Sequence, residues 1–492
     1  MHITVYQGAP GSRKTLTFLD TALDNAGLYL VAFPRNALID EQADYCRKKA
    51  AQIGAAPSIV PIHTDQSCHR GQVGRRIEEA LEAKAGQSHV VMMISHAALL
   101  VLDPAVLAGW HVAIDENLDA SVGCGTFKAT ASWSVLDRQY RLDPLPGGQH
   151  WEVVPRNDVA PLTRKAITSE GKNGLSAFLT YASQSRRTVF VDVGDWREAQ
   201  VGRSIRWWSI WTPLVLNRCA AVTLIGAGYF ESVPFHANDW LARGAITYAE
   251  KDLSVAGRAN PRVRIHYYTR GHVGSTKWWE SDEGHRCLLQ VSDHQKLIGG
   301  PGYWSSNDAI RLVFRARFPG KWCSPKQAGT NGLIRHTSCL YIYSAKPQMD
   351  DAPIIDLLGL DRDVIRRARE FEDIRQFVLR GALRRPDYAG TYDIYLYDLA
   401  QAQDLEAYLH GIGIADLELV PVVEAGIMDV VRPGSAAVVP KAPLSRQEKR
   451  ERNTASQQKR RAKVHAEETA KGIVRKRGRP RNASVDLGAI AP

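Results

Sequence analysis

The sequence lacks any long hydrophobic run. Apolar residues make up 44% of its 492 residues, but no uninterrupted stretch approaches the roughly 18 residues that a membrane span requires. The chain starts directly with the pattern of a β-strand instead of the charged and apolar regions of a signal peptide. These absences predict a cytoplasmic protein with no membrane partner, and the length allows two or three domains.

Cysteine is scarce and scattered. The chain has seven cysteines, an odd number, and no two of them have the C-x-x-C spacing. A disulfide framework needs paired cysteines, and a structural zinc site needs closely spaced ligands. The sequence therefore argues against both and fits a reducing compartment.

Most of the chain also carries no net charge. The 63 Lys and Arg residues exceed the 52 Asp and Glu residues by a formal charge of +11. Residues 441–482 contain 15 basic and 4 acidic residues, so the charge of the remaining chain sums to zero. A neutral body with a basic arm predicts a polyanionic partner, most simply nucleic acid.

A glycine-rich turn follows the first strand. His2–Tyr6 alternates like a strand, and Leu16–Ala26 has apolar residues at helical spacing. In this context the backbone N–H groups of the turn and the start of the helix can surround the phosphates of a nucleotide such as ATP. The predicted phosphate loop consists of Gly8, Ala9, Pro10, Gly11, Ser12, Arg13, Lys14 and Thr15.

Two residues of this loop have expected roles in chemistry. Lys14 would supply a positive charge to the phosphates, and the hydroxyl of Thr15 would ligate Mg²⁺. Arg13 departs from the usual pattern because a glycine is expected before the lysine. A chance glycine-rich turn is the alternative interpretation.

Short apolar strands alternate with helices over the next hundred residues, which predicts an α/β fold with a doubly wound parallel sheet. The carboxyl ends of parallel strands meet at one edge of a sheet. The loop, Ser95-His96 and Asp115-Glu116 each follow such a strand. They are therefore expected to share one cleft.

The pair Asp115-Glu116 ends an apolar strand about 100 residues after Lys14. Asp115 would hold Mg²⁺, and Glu116 would orient and deprotonate the attacking water. A pair of strand-end carboxylates that faces solvent is the alternative.

The order of these motifs resembles the first motor domain of superfamily 2 helicases and translocases, the DEAD/DEAH-like group. Gly8–Thr15 corresponds to motif I, Phe33–Leu38 to motif Ia, and Ser95–Leu99 to the S/T-H-A-x-L element. Asp115-Glu116 corresponds to motif II, although the chain continues Asn-Leu and matches neither DEAD nor DEAH. The resemblance implies two RecA-like domains around an ATP and Mg²⁺ site, with Arg35 of motif Ia in contact with nucleic acid.

The regular alternation weakens between residues 120 and 218, which we interpret as an insertion. Six of the 12 tryptophans lie here, and core packing is the simpler explanation for them. Arg203–Trp208 is kept as a weak candidate for base stacking, because basic and aromatic residues are interleaved there. The strand 221–227 after it is similar to motif III.

A second α/β block starts near Arg262, and His285–Val291 is expected to be its next strand. Gly329-Thr330-Asn331 precedes a strand at 338–343 and resembles motif V. The resemblance implies that Thr330 and Asn331 contact nucleic acid.

Asp363–Arg385 is predicted to be one helix and includes a sequence similar to motif VI. Gln376 and Arg380 match the start of that motif, although Leu379 replaces its glycine. The second arginine, Arg384, follows four residues after the first instead of three. Because positions four apart share a helix face, both guanidinium groups are expected to reach one site. A solvated basic helix face is the alternative.

The composition changes at Pro433 to a linker and then to charged residues with few apolar ones. We expect 433–492 to be disordered when free. Residues 475–481 resemble an AT-hook, which implies that Arg477, Gly478, Arg479 and Pro480 contact A·T-rich duplex DNA. A nonspecific polybasic arm is the alternative.

The sequence thus predicts a tandem of two RecA-like domains, 1–250 and 251–432, followed by the basic tail. The corresponding function is an ATP-dependent helicase or translocase of a phage or plasmid type, acting on DNA and associated with the nucleoid. The main rival is a DNA-binding replication or accessory protein whose phosphate loop is degenerate and does not hydrolyse ATP. A packaging ATPase would leave the second-domain motifs without a role.

Overall fold

A computed structural model of the chain describes residues 1–64, 72–129, 133–145, 148–160, 174–253, 258–326, 332–348 and 351–432. The predicted fold class is confirmed, since two parallel α/β sheets follow each other along the chain as expected for RecA-like domains. The predicted tail with its AT-hook-like element lies outside the described residues.

The first 115 residues alternate strictly between strands and helices. The strands are β1 (His2–Gln7), β2 (Leu28–Phe33), β3 (Ser58–Pro61), β4 (Val90–Ser95) and β5 (His111–Asp115). The helices are α1 (Lys14–Asp24), α2 (Asn36–Ile53), α3 (Val73–Lys84) and α4 (His96–Val101). β2, β4 and β5 are almost fully buried, because helices cover both faces of a parallel sheet, and β3 at its edge is half-buried.

The chain then leaves this sheet and builds an antiparallel one in the order β6-β10-β9-β8-β7. Its strands are β6 (Val122–Phe127), β7 (Tyr140–Pro144), β8 (His150–Pro155), β9 (Thr188–Asp192) and β10 (Ile205–Ile210). Its helices are α5 (Trp133–Gln139), α6 (Leu175–Ala182) and α7 (Val193–Arg197).

The tryptophans of this antiparallel sheet are part of its core. Trp207 is 2% exposed and Trp208 is 1% exposed, so neither ring can stack on a base. Arg203 forms ion pairs with Asp195 and Glu198. The weak base-stacking candidate is therefore wrong, and the simpler explanation of core packing applies to these two residues.

The chain returns to the first sheet with β11 (Ala221–Ile225), α8 (Val233–Ala242) and β12 (Thr247–Asp252). Within the described residues the sheet has seven parallel strands in the order β12-β1-β11-β5-β2-β4-β3. β11 lies between β1 and β5. Three strand ends are thus neighbours: the end of β1 before the phosphate loop, the end of β5 before Glu116, and the end of the motif III-like strand β11.

In the part of the chain that the structure describes, the second parallel sheet has six strands in the order β15-β14-β16-β17-β13-β18. They are β13 (Arg262–Thr269), β14 (Tyr303–Ser306), β15 (Lys321–Trp322), β16 (Ser338–Ile342), β17 (Thr391–Asp398) and β18 (Leu417–Pro421). The helices before β17 are α9 (Thr276–Trp279), α10 (Asp282–Leu297), α11 (Asp308–Phe314), α12 (Ala352–Leu358), α13 (Arg362–Arg366) and α14 (Glu372–Val378), and α15 (Leu399–Gly411) follows β17. Single 3₁₀ turns occur at Pro104–Leu107, Asp119–Ser121, Ala199–Val201, Pro213–Leu216, Ala382–Arg384 and Val423–Ala425.

One predicted strand is wrong, because His285–Val291 belongs to helix α10. The Ser281 hydroxyl accepts a hydrogen bond from the Gly284 amide and caps the start of the helix. Two acidic residues follow in the first turn, which also favours a helix start. The buried residues Cys287, Leu288 and Val291 recur at helical spacing.

The predicted helix 363–385 is also shorter than expected. A π-helical turn, Arg367–Phe371, separates α13 from α14, and α14 ends at Val378. The hydroxyl of Tyr303 donates to the Phe377 and Val378 carbonyls, and that of Tyr392 also reaches the Val378 carbonyl. These buried hydroxyls satisfy carbonyl groups that would otherwise lack partners at a helix end, so the helix can stop inside the protein.

Within the described ranges, no helix is both long enough and apolar enough to cross a membrane.

Candidate active site

The phosphate loop connects β1 to α1 in a conformation that depends on glycine. Gly8 has φ +147° and Gly11 has φ +90°, values that favour glycine. A Cβ atom at Gly8 would lie 2.6 Å from the Ser12 hydroxyl oxygen. The Ser12 amide donates to the Ala9 carbonyl at 3.0 Å. The loop is therefore a tight turn that leads directly into the first turn of α1.

Lys14 folds back over this turn. Its Nζ atom donates to the carbonyls of Gly8 at 2.7 Å and Ala9 at 3.0 Å. Burial lowers the pKa of Lys14, while the nearby carboxylates of Glu116 and Asp115 oppose that shift. The ammonium group is thus held at the phosphate loop and next to the acidic pair.

Arg13 has φ +61°, in the left-handed region. This conformation costs a residue other than glycine about 1–2 kcal/mol. The residue is exposed and lies close enough to Tyr45 for its charge to affect the pKa of that phenol. The backbone of the loop therefore has the shape that glycine would adopt, and the arginine accommodates to it.

A hydrogen bond joins Thr15, in the first turn of α1, to Asp115, at the end of β5. The Thr15 hydroxyl donates to the Asp115 carboxylate at 2.6 Å, and Asp115 is 3% exposed. Burial, with the neighbouring Glu116 charge, raises the pKa of Asp115 to about 7. A buried carboxylate and a hydroxyl are oxygen ligands suited to Mg²⁺, which usually keeps several waters and also binds substrate phosphates.

Glu116 lies immediately beyond the end of β5 in a strained conformation, with φ +66°. Its amide donates to the Ile225 carbonyl of β11 at 2.6 Å. His96 donates through Nε2 to the Asp115 carbonyl at 2.8 Å, and burial lowers the pKa of His96 to about 4, so the ring is neutral. Backbone contacts from both sides therefore hold the acidic pair, and strain of this kind is common at functional sites.

The second half of the site comes from the segment that follows the π-helical turn. Gln376 on α14 donates to the Glu116 carboxylate at 3.3 Å and to Glu372 at 3.0 Å. Arg380 follows the end of α14, and Arg384 lies in the next 3₁₀ turn. The expectation that the two arginines share a helix face is wrong, yet both line the same cleft.

Arg380 is buried without a full set of partners. It is 6% exposed, and its Nη1 atom has no hydrogen-bond partner among the described residues. Burial lowers its pKa to about 10, which leaves it charged at neutral pH. A buried guanidinium group with an unused donor is suited to an anion such as a phosphoryl group.

Arg384 meets the phosphate loop directly. A Cβ atom at Gly11 would lie 3.0 Å from Arg384 Cγ and 3.2 Å from the Arg384 carbonyl oxygen. The loop and the second-sheet segment therefore pack closely only because residue 11 is glycine.

These residues surround one cleft of about 490 Å³ between the two sheets. Its walls include loop residues, the acidic pair, the motif VI-like residues and one face of α2. They are Pro10, Gly11, Arg13, Lys14, Thr15, Leu16, Leu38, Glu41, Gln42, Tyr45, Asp115, Glu116, Ile225, Gly226, Ala227, Ile334, Gln376, Arg380, Arg384, Arg385 and Pro386.

Of the residues predicted to contact nucleic acid, Arg35 lies within the described part of the chain. Arg35 lies close enough to Arg380 for its charge to lower the pKa of that arginine, so it is near the cleft, and its nucleic-acid contact stays a prediction. Thr330 and Asn331 lie outside the described residues, as do Arg477–Pro480.

Sequence reasoning missed Glu372, which forms a hydrogen bond with Gln376. The signal was present, because the two residues are four apart in a helical pattern.

No family model matches the chain, and no curated protein matches it. Among solved structures it is similar to one titled XPD helicase, with 10% identity, 86% of this chain and 96% of that chain covered, and a TM-score of 0.48. It is also similar to Xpd4 of S. tokodaii, with 12% identity, 85% and 95% covered, and a TM-score of 0.43. For S. cerevisiae Dbp5 bound to RNA and ADP BeF3 the identity is 9%, 85% of each chain is covered, and the TM-score is 0.37.

Proposed function

We propose that this chain is an ATP-hydrolysing motor of the superfamily 2 type, a helicase or translocase that acts on DNA. The observation that carries the proposal is the single cleft that brings Lys14, Thr15 and the acidic pair of the first sheet together with Gln376, Arg380 and Arg384 of the second. A nucleotide in this cleft would touch both sheets. Its hydrolysis would therefore change the contacts between them.

The chemistry assigned to the cleft is the transfer of the γ-phosphoryl group of ATP to water. A bond forms between the water oxygen and the γ-phosphorus while the bond from that phosphorus to the bridging oxygen of ADP breaks. Glu116 takes the proton of the attacking water. Lys14, Arg380 and Arg384 stabilise the charge that is spread over the phosphoryl oxygens.

Two residues would hold the metal ion of such a reaction. Thr15 and Asp115 provide a hydroxyl and a carboxylate whose oxygens are 2.6 Å apart, and this donor set fits Mg²⁺. When bound, Mg²⁺ supplies positive charge to the β- and γ-phosphate oxygens.

The test is steady-state ATP hydrolysis by the full chain with and without single-stranded DNA, and with RNA as the competing polymer. We expect turnover that DNA stimulates and that Glu116→Gln removes. ATP binding without turnover on either polymer would contradict the motor and support the non-hydrolysing DNA-binding protein, for which the strained Arg13 is the favouring observation.

The basic tail is proposed to tether the motor to duplex DNA. Each phosphate neutralised on a duplex adds about 0.9 to the slope of log affinity against log salt, and 15 basic residues in 441–482 could cover roughly six to ten phosphates. Truncation after Pro440 should flatten that slope by several units and leave hydrolysis without DNA unchanged.

The AT-hook-like element gives this tether a sequence preference. A minor-groove reader senses groove width and A·T content, so the full chain should bind A·T-rich duplex more tightly than G·C-rich duplex. Arg479→Ala should remove that preference and keep most of the salt slope. Equal binding to both duplexes before any substitution would leave a nonspecific arm.

A further inference from the structure

Glu372 is the first residue of α14 and lies where the two sheets meet. Its Oε1 atom accepts a hydrogen bond from Gln376 Nε2 at 3.0 Å. The same nitrogen donates to the Glu116 carboxylate, on the other side of the cleft, at 3.3 Å. One side-chain amide thus bridges a carboxylate of each sheet.

This bridge determines which way the Gln376 amide faces. Its NH₂ group has two hydrogens, and a carboxyl oxygen of Glu372 and one of Glu116 accept from it. Burial raises the pKa of Glu372 to about 8, and a protonated carboxyl group still has one oxygen that only accepts. Both hydrogens are directed to carboxyl oxygens, so the amide carbonyl oxygen is the group that remains to accept from other partners. Because Gln376 lines the cleft, that oxygen is available to accept a hydrogen bond from a water molecule beside Glu116.

The turn that precedes Glu372 is held in place from within the second sheet. The preceding π-helical turn contains Glu370, which is 0% exposed. Glu370 accepts hydrogen bonds from the Ser344 hydroxyl and the Ala345 amide, both at 3.0 Å, and pairs with Arg366 at 2.9 Å. The turn is therefore anchored beside the end of β16. A π turn of this kind often marks a functional site.

On its other side Glu372 contacts the turn that follows β11. A Cβ atom at Gly228 would lie 3.3 Å from Glu372 Oε2, and Gly228 has φ +63°. The Glu372 carboxylate therefore lies close to Gly228, in the turn that follows β11. It is enclosed between the two halves.

We propose that Glu372 is a positioning residue for ATP hydrolysis, which orients the Gln376 amide so that the attacking water is held between Gln376 and Glu116. This inference rests on the proposed function. Glu372 has no direct contact with substrate in this role, and it acts through Gln376 alone. Because the bridge spans both sheets, the amide has this orientation only while the two sheets are in contact.

The test is a double-mutant cycle on the full chain, with kcat and KM for ATP measured on single-stranded DNA. Glu372→Ala should lower kcat roughly tenfold to a hundredfold, the scale expected for a misplaced reacting group, with KM within about twofold. Gln376→Ala should lower kcat at least as much. The double variant should be no slower than Gln376→Ala, because Glu372 acts only through that residue.

Two further variants separate positioning from folding. Glu372→Gln should recover most of the rate, since its amide oxygen can still accept from Gln376. Asp373→Asn is the matched control, because Asp373 accepts from the Tyr343 hydroxyl at 2.8 Å instead, and it should leave kcat unchanged. Thermal unfolding midpoints show that each variant is folded.

The outcomes distinguish this inference from the proposed function. Losses that multiply in the double variant, or an unchanged kcat in Glu372→Ala, would overturn the role of Glu372 and leave the motor in place. An unmodified chain that does not hydrolyse ATP with any polymer would overturn both.

Discussion

The two halves of the cleft are built differently. In the half that belongs to the first sheet, the functional groups bind one another: Lys14 donates to its own loop, and Thr15 donates to Asp115. In the half that belongs to the second sheet, Arg380 is buried with an Nη1 atom that has no hydrogen-bond partner in the described part of the chain. In the first half the buried Ser12 hydroxyl also has no hydrogen-bond partner among the described residues, but it is a neutral group, whereas the unpaired group of the second half is a charged donor.

This difference suggests how the halves divide the work. A buried donor without a partner costs about 1–3 kcal/mol, and a phosphoryl group would remove that cost. The first half therefore has the properties of a ground-state binding site. The second half gains most when negative charge develops near it, so it is suited to act on the transition state.

The largest expected effect tests this division at Arg380. Arg380→Ala should lower kcat by roughly 10³–10⁵, the range known for arginine fingers, with ATP affinity within about an order of magnitude. Arg384→Ala should lose less, because the close contact of residue 384 with Gly11 includes its main-chain carbonyl. The measurements are kcat on single-stranded DNA and equilibrium binding of a fluorescent ATP analogue.

Arg380→Lys is the matched control for this experiment. Lysine keeps the positive charge but lacks the planar fork of donors, so it should recover only part of the rate. An Arg380→Ala variant that turns over ATP normally would mean that this segment is only a surface between the sheets.

Glu116→Gln is expected to have the next largest effect, a loss of roughly 10²–10⁴ in kcat with ATP affinity retained, because the amide keeps the shape and removes the base. Lys14→Ala should lose both kcat and affinity, since it removes a contact made already in the ground state. Parental turnover by Glu116→Gln would contradict the assignment of the base.

The sequence predicted the first half of the site better than the second for a physical reason. Residues 8–15 form one continuous stretch of sequence, and residues 115–116 form another. Each stretch lies at the end of a strand, and the parallel sheet places both strand ends at the cleft. Their chemistry depends on local backbone. A pattern of residue types is then sufficient to predict that these residues lie together at one edge of the sheet.

The second half depends on contacts between distant residues. Helix α14 ends at Val378 because the hydroxyls of Tyr303 and Tyr392, 75 and 14 residues away, bind its last carbonyls. The π-helical turn before Glu372 is likewise held by Glu370 against Ser344. Helical spacing carries no trace of these partners, so the predicted helix was too long, although the four-residue spacing of Glu372 and Gln376 is visible in the sequence.

A third prediction tests how closely the halves must meet. Gly11→Ala should lower kcat about tenfold or more, because a Cβ atom would press on Arg384 at 3.0 Å and on its carbonyl at 3.2 Å; misplacement by an ångström can cost about a hundredfold. Gly54→Ala is the matched control. Gly54 has φ +70°, but a Cβ atom there would meet nothing within 4 Å.

Both variants place alanine in the left-handed region, at a cost to stability of about 1–2 kcal/mol. They differ in whether the new methyl group touches the second sheet. Loss of kcat in Gly11→Ala but not in Gly54→Ala would attribute the effect to the contact between the halves. Equal kcat values in the two variants would contradict the need for that contact.

The smallest effect is expected at Arg13, the one loop residue that departs from the usual pattern. Its φ of +61° favours glycine, so Arg13→Gly should relieve strain of about 1–2 kcal/mol. The greater freedom of glycine in the unfolded chain offsets about 0.4–1 kcal/mol of this gain, so the unfolding free energy should change by about 1 kcal/mol or less. Turnover should be preserved or rise slightly, because the exposed arginine is not needed for the loop's shape.

Arg13→Ala separates strain from side-chain chemistry, since alanine keeps the strain and loses the guanidinium group. If both variants lose turnover while their unfolding midpoints hold, Arg13 contributes to the reaction and the first half of the site is not complete with Lys14 and Thr15 alone.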